Sequence, residues 1–290
     1  MSPGDQRGAM NATDDWYDVE AISGRAHRLV EGPYYGCYCI GGTERSVVVD
    51  AGIGVGDLRG LVAGLVDTPV TLVLTHWHWD HIGNAAQFDD VRVHPEECDR
   101  DGRVALDGRS TEFVDRPARF VRRWQEAGNR FPDAFDPEAY TIEPVEEPTN
   151  VSGGETIGLG DRHLELLHTP GHSPGHLAVL DRSEGALYGG DVLHKDRGLY
   201  VHLQGGDVAA YRETFARLVD LRDDGSFGTL WTSHNPPLEG DDLELLDRLE
   251  EGLGEIVDGT AVPRRVETDW GLANRYDVHG STVLTDVDAG

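Results

Sequence analysis

The sequence predicts an α/β fold, and three observations predict it. Strand-length runs rich in Val, Leu, Ile and aromatic residues recur along the chain, segments with apolar residues at helical spacing lie between them, and several runs end at a loop bearing His or Asp. A chain of 290 residues could hold one large domain or two smaller ones. One is expected, because the His- and Asp-bearing loops run from His76 to His234 and must converge to act together.

Residues 1–15 are rich in Gly, Asp, Ser and Asn without periodicity and read as a flexible arm. The main domain spans residues 16–258. Within it, Tyr17 to Val30, Tyr34 to Ile40 and Arg45 to Asp50 read as strands, separated by Glu31-Gly-Pro33 and Gly41-Gly-Thr43. Leu58, Leu61, Val62 and Leu65 have helical spacing. Pro69 to Thr75 is apolar and β-branched enough for a strand, residues 82–88 can open a helix, and Val91 to Pro95 is a short strand.

Residues 100–150 break the alternation. They carry Arg103, Arg109, Arg116, Arg119, Arg122, Arg123 and Arg130, interleaved with Phe113, Phe120, Trp124, Phe131 and Phe135. Arg116, Arg119 and Arg123 would share a helical face. Two readings stand: a helical cap that lends apolar walls and an arginine to an anionic substrate, or an insertion whose arginines pair with acidic groups of the surface. Strands return at Arg162 to Leu167, Leu177 to Leu180, Ala186 to Tyr188 and Thr229 to Thr232, with helices over Asp207 to Leu221 and Asp241 to Val257. Residues 259–290 hold Val283-Leu284 and little else apolar, and read as a closing strand or tail.

Acidic residues outnumber basic ones by 53 to 25, a formal charge of −28, which argues against a generic nucleic-acid binder. Lys195 is the single lysine, and this composition resembles proteins of salt-loving organisms. Three cysteines, Cys37, Cys39 and Cys98, do not suggest a disulfide framework. No segment approaches the roughly eighteen apolar residues of a membrane span, and none has the pattern of a secretory leader. The expectation is a cytoplasmic protein with no membrane or nucleic-acid partner.

The densest stretch is Thr75 to Asn84, T-H-W-H-W-D-H-I-G-N, with three imidazoles and a carboxylate in six consecutive positions. Imidazole suits zinc and other borderline metals, and carboxylates complete their shells. The stretch falls in a loop between a strand and a helix, where ligands can be held without covering the metal.

Thr75-His-Trp-His-Trp-Asp-His81 resembles the H-x-H-x-D-H signature of the metallo-β-lactamase-fold hydrolase superfamily, and later segments fit in order over approximately residues 17–240. Asp50 ends Ser46-Val-Val-Val-Asp-Ala-Gly52. His172 lies in Thr169-Pro-Gly-His-Ser-Pro-Gly-His176, Asp191 in Tyr188-Gly-Gly-Asp191 and His234 in Trp231-Thr-Ser-His-Asn235. The resemblance implies a four-layered αββα sandwich. It also implies two metals: His76, His78 and His172 would hold one, Asp80, His81 and His234 the other, with Asp191 between them. The implied cofactor is a pair of Zn2+ ions, with iron or manganese as alternatives. Asp80 and Asp191 would be the catalytic carboxylates, and a metal-bridging hydroxide would cleave an ester, thioester or lactone of a small, anionic substrate, as in glyoxalase II-like and lactonase-like members.

Two relatives of the same fold remain alternatives: a mononuclear iron persulfide dioxygenase and a nuclease. Asp50 would either orient a ligand imidazole or cap its turn. His176 reads as a hydrogen-bonding strand residue. His194, Lys195 and Tyr200 follow Asp191 closely enough to reach substrate, and His194 or Tyr200 could donate a proton. A homodimer is left open.

Overall fold

In the computed structural model, which describes residues 16–195 and 197–287, two mixed sheets stack face to face with helices outside. The arm expected over residues 1–15 lies outside the described residues. The first sheet follows chain order: β1 (Tyr17–Ala21), β2 (Ala26–Glu31), β3 (Tyr35–Ile40), β4 (Ser46–Val49), β5 (Val70–Val73), β6 (Val91–Val93) and β7 (Thr149–Asn150). Pairing is antiparallel up to β4 and parallel beyond it. The second contains β8 (Thr156–Gly158), β9 (His163–His168), β10 (Leu177–Asp181) and β11 (Ala186–Tyr188). A third sheet begins with β12 (Leu199–Tyr200), whereas β13 (Thr229–Trp231) and β14 (Leu238–Glu239) complete the second.

The two-residue period of the strands separates the layers. Tyr38, Ile40, Val47 and Val49 face Leu177, Val179 and Tyr188 between the sheets. Their neighbours Cys37, Cys39 and Val48 point the other way, toward α1 (Leu58–Leu65) and the short α2 (Trp79–Ile82). On the far side, Ala178, Leu180 and Leu187 meet Tyr211 and Phe215 of α5 (Val208–Asp223) and Leu246 and Leu249 of α6 (Leu245–Val257). The arrangement is the expected four layers. Between α2 and α5 the insertion contributes α3 (Thr111–Val114) and α4 (Arg116–Glu126), with no further helix in residues 127–148.

Three expectations need correction. Tyr17 to Val30 is a hairpin rather than one strand, because the chain reverses at Ile22 to Arg25, where the Ile22 and Ser23 amides donate to the Ala26 carbonyl. The helix read over residues 82–88 starts earlier, as α2, and ends in a single 3-10 turn over Ala85–Gln87. Residues 259–290 are more than a closing strand or tail: β15 (Arg264–Thr268), β16 (Gly271–Val278) and β17 (Ser281–Thr285) form an antiparallel meander, with β12 parallel to β17. Val278 and Val283 share an apolar cluster with α5 and α6, and this burial keeps a mostly polar segment in place.

Candidate metal centre

Strands β4 and β5 run parallel, so Asp50 and the loop that begins at Leu74 leave the first sheet at one edge. In the second sheet, β9, β11 and β13 point the same way and deliver His172, Asp191 and His234. The two edges meet. All seven residues that the resemblance singled out come together: His76, His78 and His172 form one group, Asp80, His81 and His234 another, and His76, His81 and Asp191 join them.

Asp191 divides its two oxygens between the groups. Its Oδ1 lies 3.4 Å from His81 Nε2 and 3.3 Å from His234 Nε2, while Oδ2 lies 3.7 Å from His172 Nε2. Asp80 Oδ2 is 3.4 Å from His234 Nε2, and His172 Nε2 is 3.1 Å from His78 Nδ1. Donors held tetrahedrally at about 2.0–2.1 Å from one cation stand roughly 3.3 Å apart, so these separations suit shared coordination.

Hydrogen bonds around the ring fix which nitrogens are free. The Thr75 amide and hydroxyl both donate to Asp50, at 2.8 and 2.9 Å, so the hydroxyl oxygen can accept from His76 Nδ1 at 2.9 Å. That leaves His76 Nε2 as a bare lone pair, buried and with no hydrogen-bond partner among the described residues. His81 Nδ1 donates to Asp50 Oδ2 at 2.8 Å, again leaving Nε2 free and buried. Of the two readings of Asp50, the contact supports the orienting one. Asp50 holds a left-handed backbone, φ 64°, a conformation that Asp tolerates better than most side chains.

Burial, then the neighbouring imidazoles, pushes His76 well below the usual histidine range; His78 is depressed likewise, and His172 falls to about 3. These rings are neutral, the form that ligates metal. Burial acts most on His81 and His234, but Asp191 together with Asp50 for His81, and with Asp80 for His234, outweighs it and raises both. For Asp191, His234, His81 and His194 together overcome burial and hold the carboxyl well below its usual range. Orphaned lone pairs, spacing and charge all fit a pair of divalent cations.

Several supporting residues lie off the motif. Glu97, fully buried, accepts from the Trp77 amide at 3.0 Å, the Ser173 hydroxyl at 2.8 Å and the Gly175 amide at 2.6 Å. One carboxylate thus ties the loop of His76 and His78 to that of His172. Nothing in the sequence around Glu97 signals this, since its partners are distant and two of them are backbone amides. Phe113 of the insertion stacks on His78, with ring centroids 4.5 Å apart.

His176 donates or accepts at Thr169 Oγ1, 2.8 Å away, as a strand-start residue would. His194 comes closer than expected: its Nε2 lies 3.4 Å from Asp191 Oδ2, its ring stacks on His234, and Tyr200 lies beside it. Lys195 turns to Asp242 instead, at 2.6 Å. His94, His168 and Glu96 also gather, but the two rings stack at 4° between planes, so their in-plane lone pairs run parallel and do not meet at one point.

The centre opens into a cavity of about 900 Å³, walled by Tyr34, Tyr35, Trp79 and Phe120, by arginines of α4, and by the tip of the β15–β16 hairpin. Among the described residues no helix is long and apolar enough to cross a membrane.

The sequence profile of the Metallo-beta-lactamase superfamily matches residues 36–224, a stretch containing all of these candidate ligands but His234. The chain belongs to the metallo-beta-lactamase superfamily. It is a hydrolase of that fold with a candidate His/Asp metal site. An acyl-coenzyme A thioesterase MBLAC2 of Gallus gallus is 31% identical over 201 residues, covering 65% of this chain and 68% of that protein. An atrochrysone carboxyl ACP thioesterase of Aspergillus fumigatus is 23% identical over 197 residues, covering 65% of this chain and 36% of the relative. Among solved structures, a superfamily protein of Thermus thermophilus matches with a TM-score of 0.56 at 22% identity, covering 84% of this chain and 85% of its own. That likeness speaks for the fold.

Proposed function

We propose that this chain hydrolyses thioesters with the help of two divalent cations, zinc in the first instance. His76, His78 and His172 would hold one, Asp80, His81 and His234 the other, and Asp191 would touch both. The observation that carries the reading is the division of the two Asp191 oxygens between imidazole nitrogens of two separate groups. The names of two relatives, both thioesterases, narrow the bond from the ester, thioester or lactone that the sequence left open.

Cations held by these residues would supply an acidified water at neutral pH and would polarise the acyl carbonyl. The chain's own residues supply the rest. Asp50 and Thr75 hold His81 and His76 in the tautomers that leave Nε2 free. Tyr35, Trp79 and Phe120 offer an apolar wall to the acyl group and exclude water from it. His194, whose Nε2 faces Asp191 Oδ2 at 3.4 Å while its Nδ1 has no hydrogen-bond partner among the described residues, can place a proton or hydrogen bond on the departing sulfur. The cavity volume is in the range of small-molecule sites.

The test is metal content of native protein together with turnover on an acyl-coenzyme A, a p-nitrophenyl ester, a lactone and a persulfide. Two metals per chain and chelator-sensitive release of free thiol are expected. One iron per chain with oxygen uptake on the persulfide, or turnover of the lactone while thioesters stay intact, would overturn the proposal.

A further inference from the structure

The outer half of the cavity carries a charge that the metal centre does not explain. In a chain of formal charge −28, five arginines line this one space among the described residues: Arg116, Arg119 and Arg123 of α4, with Arg197 and Arg275. Once the ligands Asp80 and Asp191 are set aside, the lining carboxylates are Glu267 and Asp269. The wall is therefore cationic.

Asp269, at the tip of the β15–β16 hairpin, engages three of these arginines. Arg123 Nη1 donates to its Oδ2 at 3.1 Å and Nη2 to Oδ1 at 3.4 Å, while Arg116 and Arg119 donate to its backbone carbonyl at 2.8 and 3.1 Å. The Arg116 guanidinium lies 3.3 Å over the Trp270 ring, and Trp270 packs on Phe113, which stacks on His78. The arginine wall and the metal centre are thus joined through two aromatic rings. Yet the Asp269 side chain is 59% exposed, and an exposed carboxylate–guanidinium pair is held only weakly. Phosphate has more charge and more acceptor oxygens, and guanidinium forks match it well. The hairpin also lies beyond residues 36–224, so this side of the wall is built outside the stretch shared with the superfamily profile.

We propose that α4 and the hairpin tip form a phosphate subsite in which Asp269 occupies the place of a phosphate on the substrate's thiol arm, so that this carboxylate competes with the substrate. The ligand class is a thioester whose leaving thiol carries a phosphate or diphosphate, whether free as in coenzyme A or tethered to a carrier protein. The inference rests on the thioesterase reading for its substrate, although the subsite itself can be tested by binding alone.

The experiment compares kcat/KM for one acyl group on coenzyme A, on a carrier protein and on N-acetylcysteamine, which has no phosphate. Asp269→Asn is expected to raise the coenzyme A to N-acetylcysteamine ratio about three- to ten-fold, mainly through KM, and Arg123→Gln to lower it by a similar factor. Calorimetry with adenosine 3′,5′-bisphosphate at low salt should show the same opposite signs, tighter for Asp269→Asn and weaker for Arg123→Gln. Arg123 is half exposed, so its variant should melt close to the parent. A ratio and an affinity that neither substitution moves, or that both move the same way, would overturn the subsite. A ratio that shifts only for the carrier-bound thioester would assign the phosphate to a tethered arm. If no thioester is cleaved at all, the reaction proposed above fails, and bisphosphate binding still decides the subsite.

Discussion

The inner and outer halves of the cavity are built on opposite terms. Inside, imidazoles and carboxylates sit almost wholly out of water, each fixed by a second group: Thr75 on His76, Asp50 on His81, and Glu97 across two loops. Outside, arginines meet Asp269 at the surface, where any one contact contributes little. A buried polar group without a partner costs far more than an exposed one, so the inner half tolerates few changes and the outer half many. The comparison predicts large, all-or-none effects inside and graded, substrate-dependent effects outside.

The sharpest way to break it is Asp191→Asn. This removes the charge shared by both ligand groups and should lower kcat/KM by about 10³-fold or more, equivalent to about 4 kcal/mol, with metal content reduced. Metal analysis and steady-state rates check it, and near-normal turnover would refute the shared site.

A smaller effect is expected from Glu97, whose carboxyl burial pushes up from the usual 4.5 to about 7. The folded protein holds this proton after the unfolded chain has lost it. The contribution to stability is therefore fully present below about pH 4.5 and is lost as pH rises through about 7. In Glu97→Gln that downward slope should vanish between about pH 5 and about pH 8, measured by thermal melts of the two proteins.

The mildest probe is salt. Raising it from about 0.1 M to about 1 M shortens the screening length from about 10 Å to about 3 Å, so KM for an anionic thioester should climb a few-fold while kcat barely changes. A drop in kcat without a change in KM would reverse the assignment of the two halves.

The sequence readings failed and succeeded along the same line. His76, His78, Asp80 and His81 are adjacent in the chain, so their grouping was visible before any fold. His172, Asp191 and His234 each follow a strand, and the resemblance placed them in order. Tyr34 to Ile40 likewise read as a strand, and in the fold Cys37 and Cys39 lie on the face opposite Tyr38 and Ile40. What escaped was non-local. Glu97 reads as one more acid in an acidic chain, and the polar tail at 259–290 has too few apolar residues to announce a three-stranded meander; the turn at Ile22 to Arg25, by contrast, was marked locally by Ser23-Gly24.

By itself, then, the sequence determined the alternation of strands and helices, the residue types able to ligate metal, and the strand ends that carry them. Those are local properties, set by side-chain chemistry and by periods of 2 and 3.6 residues. Only the tertiary structure decided that Asp191 faces both groups of histidines, that Glu97 clasps two loops, and that Asp269 reaches the arginines of α4 from some 150 positions away. Such contacts depend on how two sheets and a hairpin stack, and no spacing along the chain encodes that distance in space.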